Sequence, residues 1–357
     1  MKRREFIRLA SFAPLAIKAP LALAGNESKP REWRTFDMTY AVDLSAHRDA
    51  GRVWIPLPQE LGDYQRLISL SWSESAPGAG LYREGTYGAN MFSVAWNKKE
   101  TPPRFTVTAR VATRNRVMEP SACCTYSHSE AQLYLEPTKH MPVDGIVAKT
   151  AQRIVKPSMT ADEKARAIYE WVVDNTFRDP RTRGCGMGNI KFMLESGDLG
   201  GKCADINSLF VGLARAAGLP ARDVFGVRVA QSKQMKCLGS SGDVSKAQHC
   251  RAEYLSPVHG WVAVDPADVR KAVLQANLPL DDPRIKRLRQ YLFGNWEMNW
   301  IGFNTARDFN LGAQVGNIPY LMYPYARIAN NVYDGRSPDE FKFTLTSKEV
   351  SARSISI

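Results

Sequence analysis

Apolar residues recur at two different spacings along this chain of 357 residues. From Trp33 to about Met118 they alternate with polar ones: Phe36, Met38, Tyr40, Val42 and Leu44 in one run, and Phe105, Val107, Ala109 and Val111 in another. A period of two is that of a strand with one buried face. Val53–Pro58 and Met91–Trp96 lie between these runs, and turn clusters such as Ala76-Pro77-Gly78-Ala79-Gly80 separate them. The pattern predicts an antiparallel sheet or small sandwich. Farther on the spacing lengthens. Ile168, Tyr169, Trp171 and Val172 predict a helix over Ala161–Asn175. Ile206, Leu209, Phe210, Leu213 and Ala217 predict a second, closed by Gly218 ahead of Leu219-Pro220. Alternation returns in His249–Leu255, followed by the short apolar run Trp261–Asp265, with a hairpin loop at Ser256–Gly260. Asp282–Leu288 predicts a short helix, and Phe341, Phe343 and Leu345 a last strand open to pairing with the N-terminal sheet.

Three polar residues stand out on that background. Cys203 follows Gly200-Gly201-Lys202 and sits at the first turn of its helix. Unpaired N–H groups and the positive end of the helix dipole favour an anion there, so the thiol loses its proton more easily. Alternation puts His249, Arg251 and Glu253 on one face of their strand and Cys250 on the other. Two adjacent antiparallel strands can bring His249 beside Asp265 at the Asp265-Pro266 step. A thiol, an imidazole and an orienting carboxylate together make an acyl-transfer site. A zinc site from Cys203, His249 and Asp265 has no CxxC or HxxxH spacing behind it, so neither metal nor cofactor is expected.

These residues resemble the transglutaminase-like superfamily. The Gly-rich turn, the Cys opening a helix, Gly218-Leu219-Pro220-Ala221-Arg222, the His strand and Gly260-Trp261…Asp265-Pro266 carry the likeness. It covers roughly Ser158 to Ala267, under a third of the chain. It implies an α+β chain with a papain-like core, and a catalytic triad of Cys203, His249 and Asp265. The expected organisation is a 1–24 leader, a β module at 33–118, a connector at 119–157, a core at 158–270 and an aromatic-rich extension at 271–357 packing on the core. The backbone N–H of Cys203 is the expected oxyanion donor, with Asn189 or Trp171 as a side-chain partner. The family often has an aromatic residue two positions after the histidine. Arg251 stands there, which points to selection of an acidic substrate, with Trp261 as a second substrate contact. The resemblance leaves transfer to an amine and hydrolysis both open. It also leaves open a non-catalytic peptide-holding or assembly module.

Charge and cysteines narrow the setting. Lys2-Arg3-Arg4-Glu5-Phe6-Ile7 leads a weak apolar stretch ending at Ala22-Leu23-Ala24, which reads as a signal peptide resembling the twin-arginine type. Pro14, Lys18 and Pro20 interrupt that stretch and argue against a retained membrane anchor. A periplasmic or secreted protein acting on a peptide or protein, cell-wall peptide included, is the expectation. The net charge of +12 is scattered, without the clustering that marks nucleic-acid binding. An oxidising compartment permits disulfides among Cys123, Cys124, Cys185, Cys237 and Cys250, and leaves Cys203 free if it is the nucleophile. The pair Cys123-Cys124 stays open between disulfide partner, vicinal bridge and packed thiols. Arg181–Asn189 lacks the Lys-Ser/Thr of a phosphate loop and reads as a flexible wall of the cleft. Phe293–Tyr325 is dense in aromatics, expected as core packing ahead of a lid over the site.

Overall fold

Alternation in the N-terminal strands builds two antiparallel sheets that share one apolar filling. The computed structural model describes residues 32–73, 78–98, 100, 103–119, 126–312, 315–336 and 341–350. The signal-like segment and Cys123-Cys124 lie outside these residues. One five-stranded sheet runs in the order Gly242–Asp243, Phe343–Val350, Arg34–Asp43, Arg104–Thr113 and Gln65–Trp72. The other runs Asn331–Asp334, Tyr325–Ile328, Gly51–Pro56, Asn90–Trp96 and Ala79–Arg83. Phe36, Met38, Tyr40, Val42, Phe105, Val107 and Val111 of the first sheet pack with Val53, Ile55, Phe92 and Val94 of the second. Residues between them along the first sheet face outward and pair across strands, as Asp37 does with Arg110 at 2.7 Å. The last strand, Phe343–Val350, pairs antiparallel with Arg34–Asp43, with Leu345 opposite Tyr40. The C-terminal stretch is thus part of both sheets.

The helical core forms around Cys203–Ala216, whose residues are buried from Cys203 through Arg215. A helix that is buried all round needs neighbours on every side. Ala161–Asn175, Gly145–Ile154 and Pro266–Ala276 pack on it, as does an antiparallel sheet ordered Gly260–Val264, Gln248–Ser256, Ala221–Arg228 and Trp300–Asn304. Thr160 caps Ala161–Asn175 with a full capping box to Glu163. The helix expected near Asp282 spans Pro283–Tyr291, with Asp282 as its N-cap. Cys250, Ala252 and Tyr254 join Phe210 and Leu213 in the core cluster. Val227 and Ile301, one step along the same sheet, join the sandwich filling instead. Contacts therefore run continuously, and Glu32–Ile357 forms one compact unit. None of the described helices is long and apolar enough to cross a membrane.

Replacing Leu345, which is fully buried, by alanine should cost about 2–5 kcal/mol through the lost side chain and the cavity it leaves. Urea unfolding followed by tryptophan fluorescence and by far-UV circular dichroism should shift together. A variant in which only one signal shifts would show that the sandwich and the core unfold separately.

Candidate active site

The site begins at the first turn of the cysteine helix. Asp205 sits at its third position, and its Oδ2 accepts the Lys202 N–H at 3.0 Å. Its Oδ1 accepts the N–H groups of Met187 and Gly188 at 3.0 and 2.9 Å. One carboxylate thus fixes the turn bearing Cys203 and pins the glycine-rich loop against it. Gly186 has φ +94, and a Cβ there would fall 1.8 Å from Asp205 Oδ2, so the position admits only glycine. The Cys185 carbonyl takes the Ala204 N–H at 2.9 Å.

His249 lies near the start of Gln248–Ser256, and Asp265 caps Pro266–Ala276. Imidazole Nε2 lies 2.7 Å from Asp265 Oδ2. That use of Nε2 leaves Nδ1 for the thiol. Asp265 Oδ1 accepts the Asp268 N–H at 3.1 Å and an Asn207 Nδ2–H at 3.2 Å. Asn207 also donates to the Cys250 carbonyl at 2.9 Å and accepts the Ala267 N–H at 3.1 Å. It is fully buried one helical turn after Cys203. Its amide therefore ties the cysteine helix, the histidine strand and the aspartate helix together. The sequence reading missed it, although an asparagine one turn from the cysteine in a mostly apolar helix was a usable signal.

A second carboxylate was also missed. Asp268 Oδ2 lies 3.4 Å from His249 Nε2. Arg228 donates to both Asp268 oxygens, at 3.1 and 2.6 Å, and to the Leu238 carbonyl at 2.9 Å. Burial pushes the Asp268 pKa up, but Arg228 and His249 hold it well below the usual carboxylate range. Burial and Arg228 favour neutral His249, yet Asp268 and Asp265 outweigh them and raise its pKa. Burial likewise opposes a Cys203 thiolate; contacts with the Cys185 and Cys250 thiols and with His249 reverse this and hold the thiol well below its ordinary pKa. Directions of opposite sign in the two partners favour a thiolate–imidazolium pair. Ligand-type atoms of His249, Asp265 and Asp268 lie within 4.8 Å of one another. These donors are already engaged by Arg228 and Asn207, and the guanidinium on Asp268 opposes a dication, so the set does not fit a metal centre.

The other sequence candidates fall elsewhere. Arg251 is 2 % exposed, its guanidinium 4.8 Å from the Trp300 ring centroid and 5.5 Å from that of Trp296. Its Nε is 3.7 Å from Asp265 Oδ2. Arg251 thus stands behind the Asp265 carboxylate and against two indoles, where the sequence reading expected it to meet an acidic substrate. Trp261 pairs with Leu255, three pairs along the hairpin from the Ala252–Val264 pair, and its indole donates to Glu130 at 3.0 Å. Its ring lies under Arg222. Asn189 is exposed and spends its amide oxygen capping Ile190–Ser196. Trp171 packs on the helical core from Ala161–Asn175. The described cysteines Cys185, Cys203, Cys237 and Cys250 are all free thiols.

The aromatic C-terminal stretch closes the site. Trp300 Nε1 donates to the His249 carbonyl at 2.9 Å. Gly226 lies opposite His249, and a Cβ there would come within 2.5 Å of Trp300 Cζ2, so glycine makes room for the indole. Tyr320 donates to the Gly186 carbonyl at 2.6 Å, and Tyr323 to Cys185 Sγ at 3.0 Å. Cys203 is 1 % exposed as a result. These aromatics serve both as packing and as cover.

Comparison with known proteins agrees with this architecture. The transglutaminase-like superfamily core matches residues 148–266, which include Cys203, His249 and Asp265. An uncharacterized protein of Haemophilus influenzae is 37 % identical over 338 residues, covering 88 % of this chain and 91 % of that protein. A solved structure from Cytophaga hutchinsonii, described as a candidate cysteine protease, superposes with a TM-score of 0.54 at 15 % identity, covering 90 % of this chain and 92 % of that one. The periplasmic domain of TgpA from Pseudomonas aeruginosa gives a TM-score of 0.36 at 14 % identity, over 72 % of this chain and 86 % of that one, too low to bear on the fold. The chain belongs to the transglutaminase-like superfamily, an α+β protein with a papain-like core.

Asn207→Leu should lower stability by about 3 kcal/mol, because Asp265 and the Cys250 carbonyl lose buried partners. The same change should slow alkylation of Cys203 by loosening the His249–Asp265 unit. Thermal unfolding and iodoacetamide kinetics check both, and an unchanged melting temperature would remove Asn207 from this role.

Proposed function

We propose that this protein is an exported cysteine-dependent acyl-transfer enzyme acting on amide or peptide bonds of a peptide or protein. The observation that carries the reading is the 2.7 Å contact between His249 and Asp265, made beside a thiol at a helix N-terminus. The Cys203 thiolate attacks the carbonyl carbon and forms a C–S bond, while the carbonyl electron pair moves onto oxygen. The helix N-terminus, with the Cys203 N–H, favours that negative charge. Collapse of the adduct breaks the C–N bond, and the His249 imidazolium gives its proton to the leaving amine. Asp265 orients the ring. The thioester is then resolved by water, giving hydrolysis, or by an amine, giving transfer. Export rests on the leader-like residues 1–24, and cell-wall peptide is a substrate consistent with a periplasmic site.

The near-complete burial of Cys203 favours a second reading, a peptide-holding or assembly module on the same fold. Thiol chemistry separates the two. In the enzyme, a depressed Cys203 pKa and a raised His249 pKa favour the ion pair. Iodoacetamide should then react with Cys203 well below pH about 8.5, the free-cysteine value. The rate should fall only in acid, as the thiolate takes a proton. His249→Ala should shift that profile to higher pH. A Cys203 that reacts only above the free-cysteine value would favour the holding module.

Intact mass spectrometry reads the covalent step itself. With a glutaminyl or peptide–amide substrate the wild-type chain should gain the acyl mass transiently, and Cys203→Ala should gain none. An adduct that persists in Cys203→Ala would remove Cys203 as the nucleophile.

A further inference from the structure

One buried amide near the site has no work in the protein itself. Gln248, the residue before His249, is 7 % exposed, and among the described residues neither end of its side-chain amide has a hydrogen-bond partner. Leaving both ends unsatisfied costs about 1–3 kcal/mol for each group, so such a residue calls for a specific explanation. Its place in the fold supplies one. Strand alternation puts Gln248 on the face of Cys250, whose thiol sits against Cys203. The Cys185 thiol donates to the Gln248 carbonyl at 3.3 Å and is itself in contact with Cys203. The strand therefore meets the three-thiol cluster at the Gln248 backbone, and the free amide leaves that backbone on the face of Cys250. The nearby amide of Asn207, by contrast, is fully engaged.

We infer that Gln248 is a side-chain oxyanion donor of this site, its Nε2–H joining the Cys203 backbone N–H on the oxygen of the acyl adduct. This rests on the acyl-transfer reading above. It assigns to Gln248 the part that the sequence reading gave to Asn189 or Trp171. An amide that is idle in the free protein and engaged only as charge develops on the substrate oxygen stabilises the adduct selectively.

Two small reagents test it on the full chain. p-Nitrophenyl acetate acylates a thiolate through a tetrahedral oxyanion: the C–S bond forms, the oxygen carries the charge, and expulsion of p-nitrophenolate leaves an acetyl thioester. Iodoacetamide alkylates the same thiolate by direct displacement of iodide, with no oxyanion. Gln248→Met keeps the length of the side chain and removes its polar ends; Gln248→Ala is the second variant. Both should slow p-nitrophenyl acetate acylation by about 100-fold, leave iodoacetamide alkylation unchanged, and hold or raise the melting temperature. Equal loss with both reagents, or no loss with either, overturns the assignment. A lowered melting temperature in both variants overturns it too, by showing that the amide is bonded in the resting protein. A wild-type Cys203 inert to both reagents overturns the acyl-transfer reading itself, and this assignment with it.

Discussion

The buried amide of Asn207 is the constraint on which the rest of the site depends. Cysteine, histidine and aspartate come from a helix, a strand and a second helix that nothing in the local sequence forces together. Asn207 reaches all three: it sits one turn after Cys203, donates to the strand at Cys250 and to Asp265, and receives the Ala267 N–H. In a low-dielectric interior such bonds are short in reach and costly to break, so they hold the imidazole and thiol in one arrangement. Asp205 does the same for the loop in front of the helix.

The electrostatics follow from enclosing charges in that frame. Two carboxylates face one imidazole nitrogen, and a guanidinium stands behind each, Arg251 at Asp265 and Arg228 at Asp268. Unpaired, any of these groups would be too costly to bury. Paired, they make a nearly neutral assembly in which a proton on His249 is favoured and a negative sulfur is tolerated. The arginine two residues after the histidine, where relatives often carry an aromatic, belongs to this assembly. Trp296 and Trp300, from the chain after the core, lie beside its guanidinium, 5.5 and 4.8 Å from it.

Closure of the site is the work of distant chain. Trp300, Tyr320 and Tyr323 fasten to His249, Gly186 and Cys185. The segments that follow complete both sheets of the sandwich. Cover and scaffold are continuous, so exclusion of water from the thiol is coupled to the integrity of the whole unit. Water exclusion is also what decides between hydrolysis and transfer at a thioester.

Much of this was legible along the chain. Period-two runs such as Phe36–Leu44 could only be strands with one buried face, and the 3.6-residue spacing of Ile206, Leu209 and Leu213 could only be a helix behind Cys203. Helix caps, glycine stops and the Cys, His and Asp positions are local signals, and the sequence alone carried them. The sequence determined which elements form and which three residues carry thiol, imidazole and carboxylate. It could not show Asn207 and Asp268 converging on Asp265 and His249, the idle amide of Gln248, or Arg251 turned inward beside tryptophans nearly fifty residues away. Those depend on contacts between segments far apart in the chain, where burial and pairing, not local propensity, set each group's partners. Only the tertiary structure decides them, because the cost of an unpaired buried polar group is settled by what packs around it.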